Sequence, residues 1–152
     1  MNVHSGSGLE LRQALVGSWR LERWEIAYPA TGRTSTPFGD DAEGLIVYAQ
    51  DGFMSVVLRR RVRLVERARD AALSDQEKAA CFSSYMHYAG GWRIDGSEVV
   101  HEIGHALHPD LLGTQQRRHV TLDRDVLILT GDERYDAAGN VRSHRVTWRR
   151  AR

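Results

Sequence analysis

The 152-residue chain carries 21 basic and 20 acidic residues, a formal charge of +1; this length suits one domain with a sizeable core, and the near-neutral balance offers no general pull toward nucleic acid. The single cysteine, Cys81, excludes an internal disulfide and a thiolate metal cluster and fits a reducing, cytoplasmic setting. No stretch approaches the about 18 apolar residues of a membrane span, and the opening MNVHSGSGLE lacks the basic start and apolar run of a secretory signal.

Residues 1–8 are rich in Ser and Gly and are expected to be loose. GSWRLERWEIAY, 17–28, reads as a first strand, followed by the loop PATGRTSTPFGDDAEG. In LIVYAQDGFMSVVL, 45–58, two apolar runs flank Asp51-Gly52, a hairpin signal. Residues 59–73 are Arg-rich and ambiguous. Ser74-Asp75-Gln76-Glu77 then forms a capping box, and the spacing of Ala79, Phe82 and Met86 predicts one helix over roughly 75–88. After Gly90-Gly91 the strand pattern resumes with WRI, a turn at Asp95-Gly96, EVVHEIGHAL, the loop HPDLLG, TQQRRHVTL, a turn at 123–125, VLILT and, after DAAGN, RSHRVTW. About eight antiparallel strands with one inserted helix predict a mainly β, up-and-down closed barrel over residues 9–152, because closure removes the exposed edges of a long open sheet.

His101-Glu102-Ile103-Gly104-His105 matches the H-E-x-x-H pattern of zinc proteases. That pattern needs a helix, where i and i+4 stack one turn apart. Here Val99, Val100, Ile103, the central Gly104 and Pro109 argue for a strand. On a strand the two imidazoles sit roughly 13 Å apart along the backbone, too far to share one ion. His108, just before Pro109, does not rescue the site, and no metal is expected.

Alternation puts Val99, His101, Ile103, His105 and Leu107 on one face, the apolar one, and groups Gln116 and Arg118 with Val120 and Leu122. Both histidines and Arg118 are thus expected inside, unless a bulge shifts the register and leaves them in solvent or in an internal hydrogen-bond network. Buried polar groups of this kind need partners or a polar ligand. Tyr48, Tyr85, Tyr88 and Trp92 are candidate walls and hydroxyls for a pocket.

The ordered motifs resemble the lipocalin-like domain family, small relatives of the calycin barrels. Gly17-x-Trp19 looks like the G-x-W of lipocalin first strands; PFGDDAEGLIVYAQDGFMS, YMHYAGGW and HRVTWRR are similar to further family segments. In VVHEIGHALHPDLLGTQQRRHVTL the resemblance falls on His101, Pro109, Gly113, Thr114, Gln116 and Arg118, with Leu111 where relatives often carry Trp; His105 lies outside the pattern, so H-E-x-x-H reads as accidental. The resemblance also implies that an arginine of the last strand, Arg150 before Arg149, covers Trp19.

An eight-stranded barrel can hold one small ligand, and the resemblance implies such binding. The sharper expectation is a cofactor-independent enzyme of cyclase, isomerase or dehydratase type, acting on a small, largely apolar, oxygenated metabolite, polyketide-like or aromatic. In it His101 is general acid/base and Arg118 polarises a carbonyl or enolate oxygen, with Gln116, Tyr48, Tyr85, Tyr88, His105 and Trp92 binding the ligand. The rival is a carrier or sensor that binds without transforming. Neither nucleic acid nor membrane is expected as a partner, a homodimer is left open, and Cys81, in an apolar helical setting, is expected to be an inert buried thiol.

Overall fold

The computed structural model describes residues 8–62 and 71–152. Residues 1–7 of the expected loose segment and most of the Arg-rich stretch therefore lie outside the described residues, whereas Gly8 opens a helix. Nine strands run β1 (Gly17–Tyr28), β2 (Arg33–Ser35), β3 (Glu43–Tyr48), β4 (Phe53–Arg59), β5 (Tyr85–Asp95), β6 (Glu98–Ala106), β7 (Gln115–Asp123), β8 (Val126–Arg134) and β9 (Val141–Arg150), with helices α1 (Gly8–Leu15) and α2 (Asp75–Ser83). From β3 to β9 each strand pairs antiparallel with the next, and β1 pairs with both β3 and β9. Eight strands thus close into an up-and-down barrel, and β2 adds a short flap against the far end of β1.

Closure rests on alternation. Trp19 and Ile26 of β1, Ile46 and Tyr48 of β3, Met54, Val56 and Leu58 of β4, Leu127 and Leu129 of β8, and Val146 and Trp148 of β9 are buried, and most of them share one core. A register shift between Leu21 and Arg23 in β1 keeps Trp24 and Ile26 on the inner side beyond it.

Among the described residues two α-helices stand where one was expected. α1, GLELRQAL, is too short to be stable alone; it is held from its C-terminal end. The Trp19 indole N–H donates to the Leu15 carbonyl at 3.0 Å, and Arg150 donates to the carbonyls of Ala14 at 2.8 Å and Val16 at 3.4 Å. These bonds fill acceptors that a helix end leaves open. Arg150 also lies 4.1 Å over the Trp19 ring, as the resemblance implied, whereas Arg149 pairs outside with Glu22. At the same end the Arg12 guanidinium lies 4.3 Å over the Trp92 ring. α1 is a plug for one mouth of the barrel.

The capping box at Ser74 is present in both directions, but α2 ends at Ser83 rather than near residue 88. It buries no residue fully, so nothing carries it onward, while Met86 and Tyr88 pair across from Leu58 and Val56 in the sheet. The period-two reading of Tyr85-Met86-His87-Tyr88 prevails because strand pairing gives it a buried face. Cys81 is half-buried on this peripheral helix, not in the core.

At Gly90 the backbone of β6 leaves no room for a side chain on β5. A β-carbon there would sit 1.8 Å from the Glu102 carbonyl oxygen. Gly90→Ala is expected to destabilise the fold by about 3 kcal/mol or more, seen as a lowered urea midpoint; a midpoint equal to wild type would show that the backbone yields at this point.

Candidate functional site

β6 is extended, as its residues predicted, and His101 points inward, 1% exposed. His105 does not follow it. The pairing of β5 with β6 slips between Ala89 and Gly90, so that Ala89 faces His105 but Gly90 faces Ile103. Gly104 is the extra residue, and the bulge reverses the alternation beyond it. His105 is therefore exposed on the outer surface and Ala106 packs against the core, a correction to the expected common face of His101, His105 and Leu107. The H-E-x-x-H histidines lie on opposite sides of the wall.

The imidazole of His101 is held at both nitrogens. Nε2 lies 2.7 Å from the Tyr48 hydroxyl and Nδ1 lies 2.7 Å from the Tyr88 hydroxyl. β3 and β5 deliver these tyrosines by alternation, Tyr48 beside Ile46 and Tyr88 beside Met86. Burial, reinforced by the charge of Arg118, pushes the His101 pKa down to about 3. Burial likewise raises Tyr88 to about 12 and Tyr48 well above the ordinary phenol range. At neutral pH all three are uncharged.

Tyr88 and His101 floor one end of an interior cavity of about 180 Å³. Its walls are mainly apolar: Ile46, Val56, Leu58 and Met86 on one side, Leu129, Val146 and Trp148 on the other. Leu111, from the turn Pro109–Leu111, also lines it. The polar lining is Tyr88 and His101, then Gln116 and Arg118 from β7, then a second cluster of Trp24, Glu133 and His144.

Arg118 crosses β8 at Gly131, where a β-carbon would lie 2.8 Å from its Cδ. Its guanidinium donates to the Arg117 carbonyl at 2.8 Å and to Gln116 Oε1 at 3.1 Å. It makes no ion pair among the described residues. Its charge acts with burial to lower the pKa of His101 and His144, and only partly offsets the rise that burial causes at Tyr48 and Tyr88. The Trp148 indole N–H, buried beside the cavity, has no hydrogen-bond partner among the described residues.

A lipocalin-like domain model matches residues 16–151. The chain belongs to the lipocalin-like domain family. A comparison with curated proteins finds no match. The family fold is one that binds small ligands in its interior, and this lipocalin-like barrel has a cavity to do so. Among the described residues no helix is long and apolar enough to cross a membrane.

Of the residues expected at the site, Tyr88, His101, Gln116 and Arg118 line the cavity, and Tyr48 stands directly behind His101. Trp92 is buried but serves the plugged end: its N–H donates to the Ala49 carbonyl at 2.9 Å and its ring packs 4.8 Å from that of Tyr48. Tyr85 and His105 face a shallow depression on the outside; neither reaches the interior. The sequence reading passed over Trp24, Glu133 and His144. Alternation in RSHRVTW puts His144 on the face of Val146 and Trp148, so this member was legible; Glu133 was not, because a continuous VLILT run hides which face is inner.

The second cluster is also locked. Trp24 Nε1, which can only donate, lies 3.2 Å from His144 Nδ1, so the proton of the neutral ring sits on Nε2, 2.8 Å from Glu133 Oε1. Burial lowers the pKa of His144 despite Glu133. Burial raises the Glu133 carboxyl, but hydrogen bonds from His144 and Arg142 outweigh it and leave its pKa low.

A histidine whose native pKa lies below its unfolded value makes the unfolded state take up the proton first. Stability from His101 is therefore complete above about pH 6.5 and is lost as pH falls toward 3. Between pH 6.5 and 5 the unfolding free energy is expected to fall by up to about 1.4 kcal/mol per pH unit for this group, and His101→Gln to reduce the slope by about one proton. Equal slopes in denaturant titrations of the two proteins would remove His101 as a buried neutral group.

Proposed function

We propose that the protein binds a small, largely apolar molecule inside the barrel and seats an acceptor oxygen of that molecule against Arg118, Gln116 and Tyr88. The observation that carries this reading is the imbalance of the polar wall. Arg118, half-buried in the cavity wall, carries a charge that no ion pair among the described residues neutralises, and Trp148 adds a buried N–H without a partner among them. A buried donor left unpaired costs about 1–3 kcal/mol; a carbonyl, enolate or carboxylate oxygen would remove that cost. A cavity of about 150 Å³ accommodates benzene, so about 180 Å³ suits one substituted ring or a short two-ring compound.

The same donors bear on the catalytic form of the reading. Groups preorganised around one oxygen stabilise the negative charge that develops in enolisation or ring closure, which favours an isomerase or cyclase chemistry driven by polarisation. Proton exchange at His101 is less favoured, because both nitrogens are occupied and a proton passed out through Tyr88 would leave a phenolate in a buried setting. Binding without conversion, the carrier reading, needs only the seat itself. No cofactor or nucleic acid enters either form.

Trp24 and Trp148 line the cavity, so tryptophan emission reports occupancy. A panel of one- and two-ring compounds, each as hydrocarbon, alcohol, ketone and carboxylate, is expected to show tighter binding of the ketones and carboxylates. Arg118→Ala is expected to weaken these by roughly tenfold and to leave the hydrocarbons unchanged. If no compound of the panel alters emission, the interior-binding reading is lost. Once a natural ligand is in hand, retained binding with lost turnover in His101→Ala and Arg118→Ala supports the enzyme; weakened binding alone supports the carrier.

A further inference from the structure

The tyrosines around His101 are not equivalent. Tyr88 lines the cavity, whereas Tyr48 does not; it is 1% exposed, wedged between Trp92 and the imidazole at the plugged end. Three protons serve this group when it is neutral: one on each hydroxyl and one on the ring. Only two contacts need a proton between them, Tyr48 to Nε2 and Tyr88 to Nδ1. One proton is left over, and the tautomer of His101 decides which tyrosine carries it.

With the ring proton on Nε2, the imidazole donates to Tyr48 and accepts from Tyr88. The spare proton then belongs to Tyr48, whose hydroxyl has His101 as its hydrogen-bond partner and no cavity to turn toward. With the ring proton on Nδ1, Tyr48 donates to Nε2, the ring donates to Tyr88, and the spare proton belongs to the Tyr88 hydroxyl, which faces the cavity. Leaving a buried hydroxyl proton unpaired disfavours the first arrangement by roughly tenfold or more.

We propose that Tyr48 is a positioning residue: by donating to Nε2 it holds His101 as the Nδ1–H tautomer and thereby turns the Tyr88 hydroxyl proton into the cavity, as a fixed donor selecting a ligand acceptor. This deepens the binding reading above and rests on it for the role of the ligand, but the tautomer assignment stands on the ligand-free protein. Tyr48 acts through two other side chains and touches no ligand. The chain Tyr48 to His101 to Tyr88 is directional, so the seat distinguishes a ketone, which accepts, from a group of the same shape that has nothing to accept with.

Long-range ¹H–¹⁵N spectra of the histidine rings identify which nitrogen carries the proton. Wild type at pH 7 without ligand is expected to show His101 as Nδ1–H. In Tyr48→Phe the Nε2–H form is expected to appear, because Nε2 has lost its donor and the Tyr88 proton can turn to Nδ1. Tyr88→Phe, which leaves the Tyr48 contact intact, is expected to keep Nδ1–H. With 1-indanone and indane as the probe pair, wild type is expected to favour the ketone, and both variants to lose that preference by roughly three- to tenfold with indane binding unchanged.

An Nε2–H ring in wild type, or a Tyr48→Phe ring that stays fully Nδ1–H, overturns the proposal, the wild-type spectrum alone sufficing should the variant fail to fold. Equal loss of both probes in Tyr48→Phe overturns the positioning role in favour of a merely structural one. Failure of both probes to bind wild type counts against the interior-binding reading, while the ligand-free spectrum still decides the tautomer.

Discussion

A histidine with no access to water must have both ring nitrogens satisfied or lose much of the stability its burial gains. His101 meets this condition with two phenol hydroxyls from strands on one wall of the barrel, Tyr48 on β3 and Tyr88 on β5. The triad joins the plugged end to the cavity: Tyr48 packs on Trp92, Trp92 lies under Arg12 of α1, and Tyr88 opens onto the ligand space. Changes in how α1 seats thus have a continuous set of contacts leading to the polar floor of the site.

Closure of the barrel is what makes that burial available. β1 is pulled in by β9 over most of its length, and Trp19 and Arg150 meet across this seam. Both then bind carbonyls at the end of α1, so the residues that close the sheet also fasten its plug. The opposite end keeps the space. There Leu111, Met86 and Trp24 border the cavity, and Trp24 is braced by Phe38 edge-on and by stacking on His144.

Electrostatically the interior is one-sided. Among the described residues Glu133 is the one carboxylate lining the cavity and is engaged by Arg142 and His144, whereas Arg118 has only a backbone oxygen and an amide oxygen. Its positive charge reaches the histidines and tyrosines around it and helps keep both histidines neutral. A cation surrounded by neutral groups and apolar walls is a seat for an acceptor or an anion, and a poor one for a second cation.

The architecture was legible in the residues because it is local in origin: period-two patterning in TQQRRHVTL and RSHRVTW, the hairpin at Asp51-Gly52, the capping box at Ser74, and enough strands to demand closure. The inward reach of His101, Gln116 and Arg118 followed from the same alternation. Only the tertiary structure decided the rest, because it turns on contacts distant in sequence. α1 is held by Trp19 and Arg150 rather than by its own propensity; α2 stops at Ser83 because β4 recruits Tyr85 to Tyr88 into the sheet. The bulge opposite Gly90 sends His105 outside while His101 stays within, and a one-residue slip of that kind leaves no mark on hydrophobic pattern, since Gly104 satisfies either register. The pairing of both His101 nitrogens needed three strands to meet, and no spacing along the chain encodes that.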